Sequence, residues 1–350
     1  MADEPFFGCA SVQGASHKRL GKPNQDYVRA VKAKGGCYIL ALSDGHGGEP
    51  YFRSDVGARF AVDIAISEME LCYQSIFQDL SLSLKKGKDE ESRKVEVGHA
   101  NRLINEPLLF NLKQTIADKW RKTVLDDLRQ FPIQGKIVTD LSVSPDSKKS
   151  LSEQRFYFHM KTADGEKDQE VSLKTLRRIL RDNAVAYGCT LLCLAISDKG
   201  WIALQIGDGD IRITRSDGKA FDPITPIGSE QFGDETHSLC EEDALANITC
   251  VCSDDSDVKC AILSCDGVGN SIVNASDFDN LGNLLLKAAS LRGSEFQDYL
   301  KNNFLCYLTE NGCGDDTSLC YYFQDFHLEE SKEETEKDKT SVADEENSQK

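Results

Sequence analysis

The sequence predicts an α+β fold in which antiparallel sheets are covered by helices. Apolar runs of strand length come in blocks, near residues 1–60 and again after residue 189, and helical patterns are grouped between them. A parallel sheet would instead alternate strand and helix one for one. In the second block, Ser-Asp and Asp-Gly steps separate TLLCLAISD, WIALQIGDG and IRITRSDG, which reads as a series of antiparallel hairpins.

Taken in order, CASVQG, YVRAVKA and GCYILALS mix β-branched or aromatic residues with polar ones at near-alternate positions and read as strands. From Ser54 the period changes. DVGARFAVDIAISEMELCYQSIF places apolar residues at helical spacing, with Ser54 or Asp55 as its N-cap. The charged stretch at 84–97 reads as a mobile connection. A long helix follows over 105–131, ended by Pro132 and Gly135. Residues 132–170 are polar, with RFYFHMK as one strand, and read as an insertion or surface loop. VSLKTLRRILRDNA, 171–184, is a short amphipathic helix with a buried Leu/Ile stripe and a basic face that is either solvated or set against an acidic partner. AILSCDG (261–267) and TSLCYYF (317–323) are buried strands, and DFDNLGNLLLKAASL and SEFQDYLKNNFLCYL are helices. Trp120 and Trp201 read as core anchors. No internal repeat is evident.

The whole-chain balance narrows the function. Of the net charge of −17, the last 24 residues (327–350) carry nine acids against four bases, leaving −12 on the body. An acidic surface disfavours nucleic acid and anionic lipid as partners, and the tail has the composition of disorder. No run approaches the roughly 18 apolar residues of a membrane span, and the first residues lack the basic and apolar regions of a secretory signal. The thirteen cysteines are odd in number, and many sit inside apolar runs. That predicts reduced, packed thiols in a cytoplasmic protein.

Four times an apolar run ends in an aspartate: Asp44 in LALSDGHGG, Asp208 in LQIGDGD, Asp266 in ILSCDGVGN, and Asp315–Asp316 in GCGDDTSL. A fifth, Asp26, precedes the YVRAV strand. One such Asp-Gly step is an ordinary turn. Four strand-end aspartates, three of them followed directly by glycine, assemble the oxygen ligands that Mg²⁺ or Mn²⁺ prefers, and two such ions activate water and polarise a phosphoryl oxygen. No P-loop, Gly-x-Ser-x-Gly elbow or His-Glu-x-x-His competes with this reading.

Six segments in order, PNQD (23–26), SDGHGG (43–48), YGCTLL (187–192), QIGDGD (205–210), SCDGV (264–268) and GDDTS (314–318), resemble the metal-dependent PP2C-type (PPM) protein serine/threonine phosphatases. With HKRLGKPNQD and THSLCEEDA, the wording is closest to a bacterial branch of that family. The resemblance implies two packed antiparallel sheets flanked by helices, over a phosphatase domain at 1–326 with an insertion at about 132–170. It implies Asp44 bridging two Mg²⁺ or Mn²⁺ ions, the Gly45 carbonyl on one, and Asp266 and Asp315 on the other. A hydroxide bridging the metals would attack the phosphorus of phosphoserine or phosphothreonine. Asp26 would hold a metal-bound water, and His46 would protonate the leaving oxygen. Asp208 and Asp266 match positions that hold a weaker third metal. For phosphate, Arg19 is the nearest cation, with His17 and Lys18 beside it. The implied partner is a phosphorylated protein, dephosphorylated by a monomeric enzyme that opposes a serine/threonine kinase.

Two departures stand out. Gln25 replaces the Glu that many relatives carry, and Asn270 replaces a second Asp. They leave two other function classes open: a catalytically weak module that binds phosphoprotein, and a two-metal hydrolase of a small phosphate ester.

Overall fold

The computed structural model describes residues 4–79, 90–136, 155–162, 165–224, 236–272, 274–324 and 326–327. The first block builds β1 (Phe6–Val12), α1 (Ala15–Leu20), β2 (Tyr27–Lys32), β3 (Tyr38–Ser43) and α2 (Ser54–Gln74). Then come α3 (Glu90–Gln130), β4 (Ile133–Lys136), β5 (Arg155–Thr162), β6 (Gly165–Ser172) and α4 (Leu173–Arg181). The second block supplies β7 (Leu191–Ser197), β8 (Gly200–Ile206), β9 (Asp210–Thr214), β10 (Ala220–Phe221), α5 (Ala244–Asn247), β11 (Thr249–Ser253) and β12 (Cys260–Ser264). The chain closes with α6 (Asp266–Gly269), α7 (Ala275–Asp279), α8 (Leu281–Arg292), α9 (Phe296–Tyr299), α10 (Cys306–Asn311) and β13 (Thr317–Phe323).

Two five-stranded antiparallel sheets result, in the orders β1-β13-β12-β9-β10 and β11-β8-β7-β3-β2. The predicted α+β sandwich is therefore present. The inner strands β3, β7 and β8 of the second sheet are buried on both faces, and they divide their side chains by the two-residue period. Leu40 and Leu42 of β3, with Leu192, Leu194 and Ile196 of β7, face the partner sheet and meet Ile211, Leu263 and Leu319. Ile39, Ala41, Cys193, Ala195, Ile202 and Leu204 face the other way, onto Ala58, Ala61, Val62 and Ala65 of α2 and Ile116 and Trp120 of α3. Alanines along α2 let it lie close on the sheet. Gly57 allows the closest approach, because a Cβ there would sit 1.9 Å from the Tyr187 carbonyl oxygen. Trp120 and Trp201 are both buried, and all thirteen cysteines are free thiols.

Several sequence expectations need correction. The connection at 84–97 is helical from Glu90 onward, as part of α3; its Glu, Lys and Arg content suits a helix interior. Residues 80–89 lie outside the described residues, as does the acidic tail from 328. The 132–170 stretch holds more than one strand: β4, β5 and β6 pair as a separate antiparallel sheet, with Arg155 opposite Ser172 and Thr162 opposite Gly165. Ser54 does not cap α2. Its hydroxyl is taken by the side-chain amide of Gln25, and the helix N-cap is Arg53, which makes no side-chain capping bond. The helix expected over 171–184 is confined to α4, because Val171 and Ser172 belong to β6 and Ser172 caps the helix by accepting the Thr175 N–H at 3.2 Å. Finally, IGDG is not a hairpin. β8 and β9 belong to different sheets, and Gly207-Asp208-Gly209 carries the chain across. Gly207 makes that crossing at φ +102°, where a Cβ would meet Thr190 at 2.4 Å.

Candidate metal centre

The sheet registers bring the strand-end aspartates to one edge of the sandwich. Tyr27 pairs with Ser43, so Asp26 and Asp44 flank the same rung of β2 and β3. Ser264 pairs with both Leu319 and Asp210, so Asp266 emerges between the start of β13 and the start of β9. Asp315 and Asp316 lie just before β13.

The loop after β3 is held by hydrogen bonds of its backbone N–H and carbonyl groups. Asp44 N–H donates to the Thr190 hydroxyl at 3.0 Å, and Thr190 N–H returns a bond to the Asp44 carbonyl at 2.8 Å. Gly45 N–H donates to the Gln25 carbonyl at 3.2 Å, and His46 N–H to the Gly188 carbonyl at 3.1 Å. Only glycine fits at 45, since a Cβ would lie 2.6 Å from the Gln25 carbonyl oxygen and 2.8 Å from the backbone of Ser54. The YGCTLL segment therefore acts as a backbone brace for SDGHGG.

Asp26, Asp44, Asp266 and Asp315 are close enough to perturb one another. Burial and the neighbouring carboxylates Asp26, Asp266 and Asp315 push Asp44 well above the usual carboxylate range. Burial, with Asp316 next to it, raises Asp26 from 3.8 to about 7. Asp266 is raised by burial too, though a hydrogen bond with Asp44 opposes the rise. Both carboxylate oxygens of Asp26 are buried without a hydrogen-bond partner. Among the described residues, no lysine or arginine forms an ion pair with any of the four. Buried acids crowded together with no counter-charge are a site that wants a cation, and the all-oxygen donors suit a hard divalent ion. Acidic oxygens of Asp26 and Asp44 and the Cys265 sulfur lie within 4.8 Å of one another, as do ligand atoms of His17, Asp315 and Asp316.

The paired aspartates before β13 divide their work. Asp316 is buried and accepts the backbone N–H groups of Gly14, at 2.6 Å, and Gln25, at 2.7 Å. It ties the PNQD loop and the end of β1 to the start of β13. Asp315 keeps about half its side chain in solvent and remains available as a ligand. His17 reaches both: Nε2 is 3.4 Å from Asp315 and Nδ1 3.0 Å from Asp316.

The remaining predicted residues sit around this cluster. His46 stands beside it with Nε2 buried and unpartnered, its ring 4.7 Å from that of Tyr51. Burial holds its pKa below 6.5, opposed by Asp208. Asp208 is exposed at the rim and accepts the Thr236 hydroxyl. Arg19 is exposed on α1 and makes no polar contact with the cluster. The nearby cation that reaches the glycine loop is Lys22, whose ammonium donates to the Gly47 carbonyl at 2.7 Å. Gln25 donates to the His46 carbonyl at 3.0 Å and to Ser54, leaving its own Oε1 buried and unpartnered. Asn270 donates to Asp266 at 3.3 Å.

Sequence reasoning did not identify Lys22, Cys265, Asp210 or Tyr51. Asp210, raised by burial to about 6, was already inside QIGDGD. Lys22 adjoins PNQD, and Tyr51 lies three residues beyond SDGHGG, but neither residue type signals a role by itself.

Residues 13–304 match the family model described as protein phosphatase 2C. No curated protein shows significant sequence similarity to the chain. Among solved structures, a bacterial serine phosphatase is 12% identical, with a TM-score of 0.47 over 93% of this chain and 98% of that one. The serine/threonine phosphatase Stp1 from Staphylococcus aureus is 12% identical, with a TM-score of 0.48 over 92% and 96%. The catalytic domain of the serine/threonine phosphatase PstP in complex with two manganese ions is 13% identical, with a TM-score of 0.44 over 91% and 97%.

Proposed function

Because the chain belongs to the protein phosphatase 2C family, we propose that it is a metal-dependent protein serine/threonine phosphatase. The observation that carries the reading is the cluster of Asp26, Asp44, Asp266 and Asp315, buried or crowded and without a lysine or arginine partner among the described residues. Two Mg²⁺ or Mn²⁺ ions bound there supply Lewis-acid activation of water and of the phosphoryl group. Asp44, the Gly45 carbonyl, Asp266 and Asp315 hold them, and Asp208 with Asp266 offers a weaker third position. Asp26 orients water from inside the cluster. His46, unpartnered at Nε2, gives a proton to the serine or threonine oxygen as it leaves. Lys22 meets the phosphate from the loop side, and Arg19 remains a candidate through its place in the sequence pattern.

In this reading the described chain up to Phe326 is one phosphatase domain with β4 to β6 as an inserted element. The substrate is a phosphorylated protein, and the enzyme opposes a serine/threonine kinase in a reducing, cytoplasmic setting, in keeping with its free thiols. Among the described residues, no helix is long and apolar enough to cross a membrane. The test is hydrolysis of a phosphothreonine peptide and of small phosphate esters, each with Mn²⁺, Mg²⁺ or EDTA. Metal-dependent turnover favouring the peptide supports the reading. Preference for a small ester replaces the substrate class, and metal binding without any turnover replaces the enzyme with a phosphoprotein-binding module.

A further inference from the structure

The basic helix α4 is not a free-standing solvated element. Its buried face, Thr175, Leu176 and Ile179, packs with Phe156, Phe158 and Val171 of the small sheet, and Phe52 of the SDGHGGEPYF segment joins that cluster. Glu49 of the same segment accepts the Ser172 N–H at 3.0 Å, the Ser172 hydroxyl at 2.6 Å and the Thr175 hydroxyl. The loop that carries Asp44 and His46 therefore grips the start of α4 from two sides, and the helix has a fixed position relative to the metal centre.

The opposite face of α4 carries Lys174, Arg177, Arg178 and Arg181, all exposed. Positions 174, 178 and 181 form one stripe at helical spacing. Among the described residues none of the four forms an ion pair, on a chain whose net charge is −17. Arg178 leads the stripe toward the site. Its guanidinium lies 5.1 Å over the Tyr51 ring, and that ring is 4.7 Å from His46. The aromatic ring holds the guanidinium in place, and its fork of five N–H donors can bond the Tyr51 hydroxyl and still present N–H groups to an anion. A cationic stripe beside an acidic cluster is a specificity device, because it attracts what the rest of the surface repels.

We propose that this stripe, led by Arg178, is a docking surface for an acidic segment flanking the phosphoresidue of the protein substrate. The inference rests on the phosphatase reading for its substrate. Arg178 lies within about 10 Å of His46, and an extended chain advances about 3.3 Å per residue. The segment it meets is thus two to four residues from the phosphothreonine.

The test uses the full chain and two labelled phosphothreonine peptides, one with aspartates two to four residues to each side, the other with glutamines there, and for one variant a third with lysines. Binding is read by fluorescence anisotropy in EDTA, and turnover is read separately with Mn²⁺. The acidic peptide should bind on the order of tenfold more tightly, with a preference that weakens in salt. In Lys174→Ala/Arg178→Ala/Arg181→Ala the ratio should fall towards one. Arg178→Glu should shift preference to a peptide with lysine flanks, a gain that misfolding cannot mimic. Equal binding of the two peptides by the wild type, or a ratio unchanged in the triple variant, overturns the proposal. Turnover with a ratio of one removes the docking surface and leaves the phosphatase. A preserved ratio without turnover does the reverse.

Discussion

Replacing Asp26 by Asn should make the metal-free protein more stable at pH 8 while disabling it. Asp26 is buried, with both oxygens unpartnered, and its pKa is raised from 3.8 to about 7. The folded form thus holds a proton that the unfolded chain releases above 3.8. The stability tied to that proton is complete below 3.8 and is lost as pH rises through about 7. A rise of that size corresponds to about 4 kcal/mol, fully lost by pH 8. Asn removes the charge but still buries an unpaired amide, at about 1–3 kcal/mol. The net gain is about 2 kcal/mol, or on the order of 5 °C in Tm for a protein of this size. The assay is thermal unfolding by circular dichroism in EDTA at pH 5 and pH 8, for both proteins. The Tm of Asp26→Asn minus that of the wild type should be clearly larger at pH 8, and Mn²⁺ should reverse it by stabilising the wild type more. A difference that is the same at both pH values would refute the placing of Asp26 as an uncompensated buried acid.

Other perturbations probe separate parts of the site. His46→Gln should lower kcat on a phosphothreonine peptide by about 10²-fold, yet far less on nitrophenyl phosphate, whose leaving group needs no proton; steady-state kinetics on both substrates decides this. Because burial holds His46 below 6.5, wild-type kcat on the peptide should fall as pH rises through that lowered value, and a pH profile will show whether the fall is missing in the variant. Gly57→Ala forces a methyl group onto the Tyr187 carbonyl and should cost about 3 kcal/mol in urea unfolding. Glu49→Gln replaces a carboxylate that accepts from Ser172 and Thr175; a local loss of about 2 kcal/mol should appear as faster amide exchange in α4, with the two main sheets unaffected.

The sandwich was legible because its central strands are written as short apolar runs that end in Asp or Gly, and each run became a strand of the expected length. The candidate carboxylates were legible as strand-end residues for the same reason: Asp44, Asp266 and Asp315 each stand at a strand end, and the registers of β3, β12 and β13 bring those ends together. What pairing decides was not legible. The step from β8 to β9 looks like a hairpin in sequence, and only the separate partners of those strands reveal it as a crossing between sheets. The strand β11, TCVCS, was hidden behind its two cysteines, and β6, GEKDQEVS, carries too few apolar residues to announce itself. The role of Ser54 was misread because its bond to Gln25 spans 29 residues. Likewise the role of Asp316 was not legible, because its oxygens accept the N–H groups of Gly14 and Gln25, which are remote in sequence.

In the proposed function, strand-end carboxylates hold the metals that make this chain a phosphatase. The most direct measurement is bound Mn²⁺ per chain, by equilibrium dialysis, together with turnover of a phosphothreonine peptide, for wild type and Asp266→Asn. Two tightly bound ions and metal-dependent turnover are expected for the wild type, with one ion lost and turnover reduced at least 10²-fold in the variant. Equal Mn²⁺ content and equal turnover in the two proteins would contradict it.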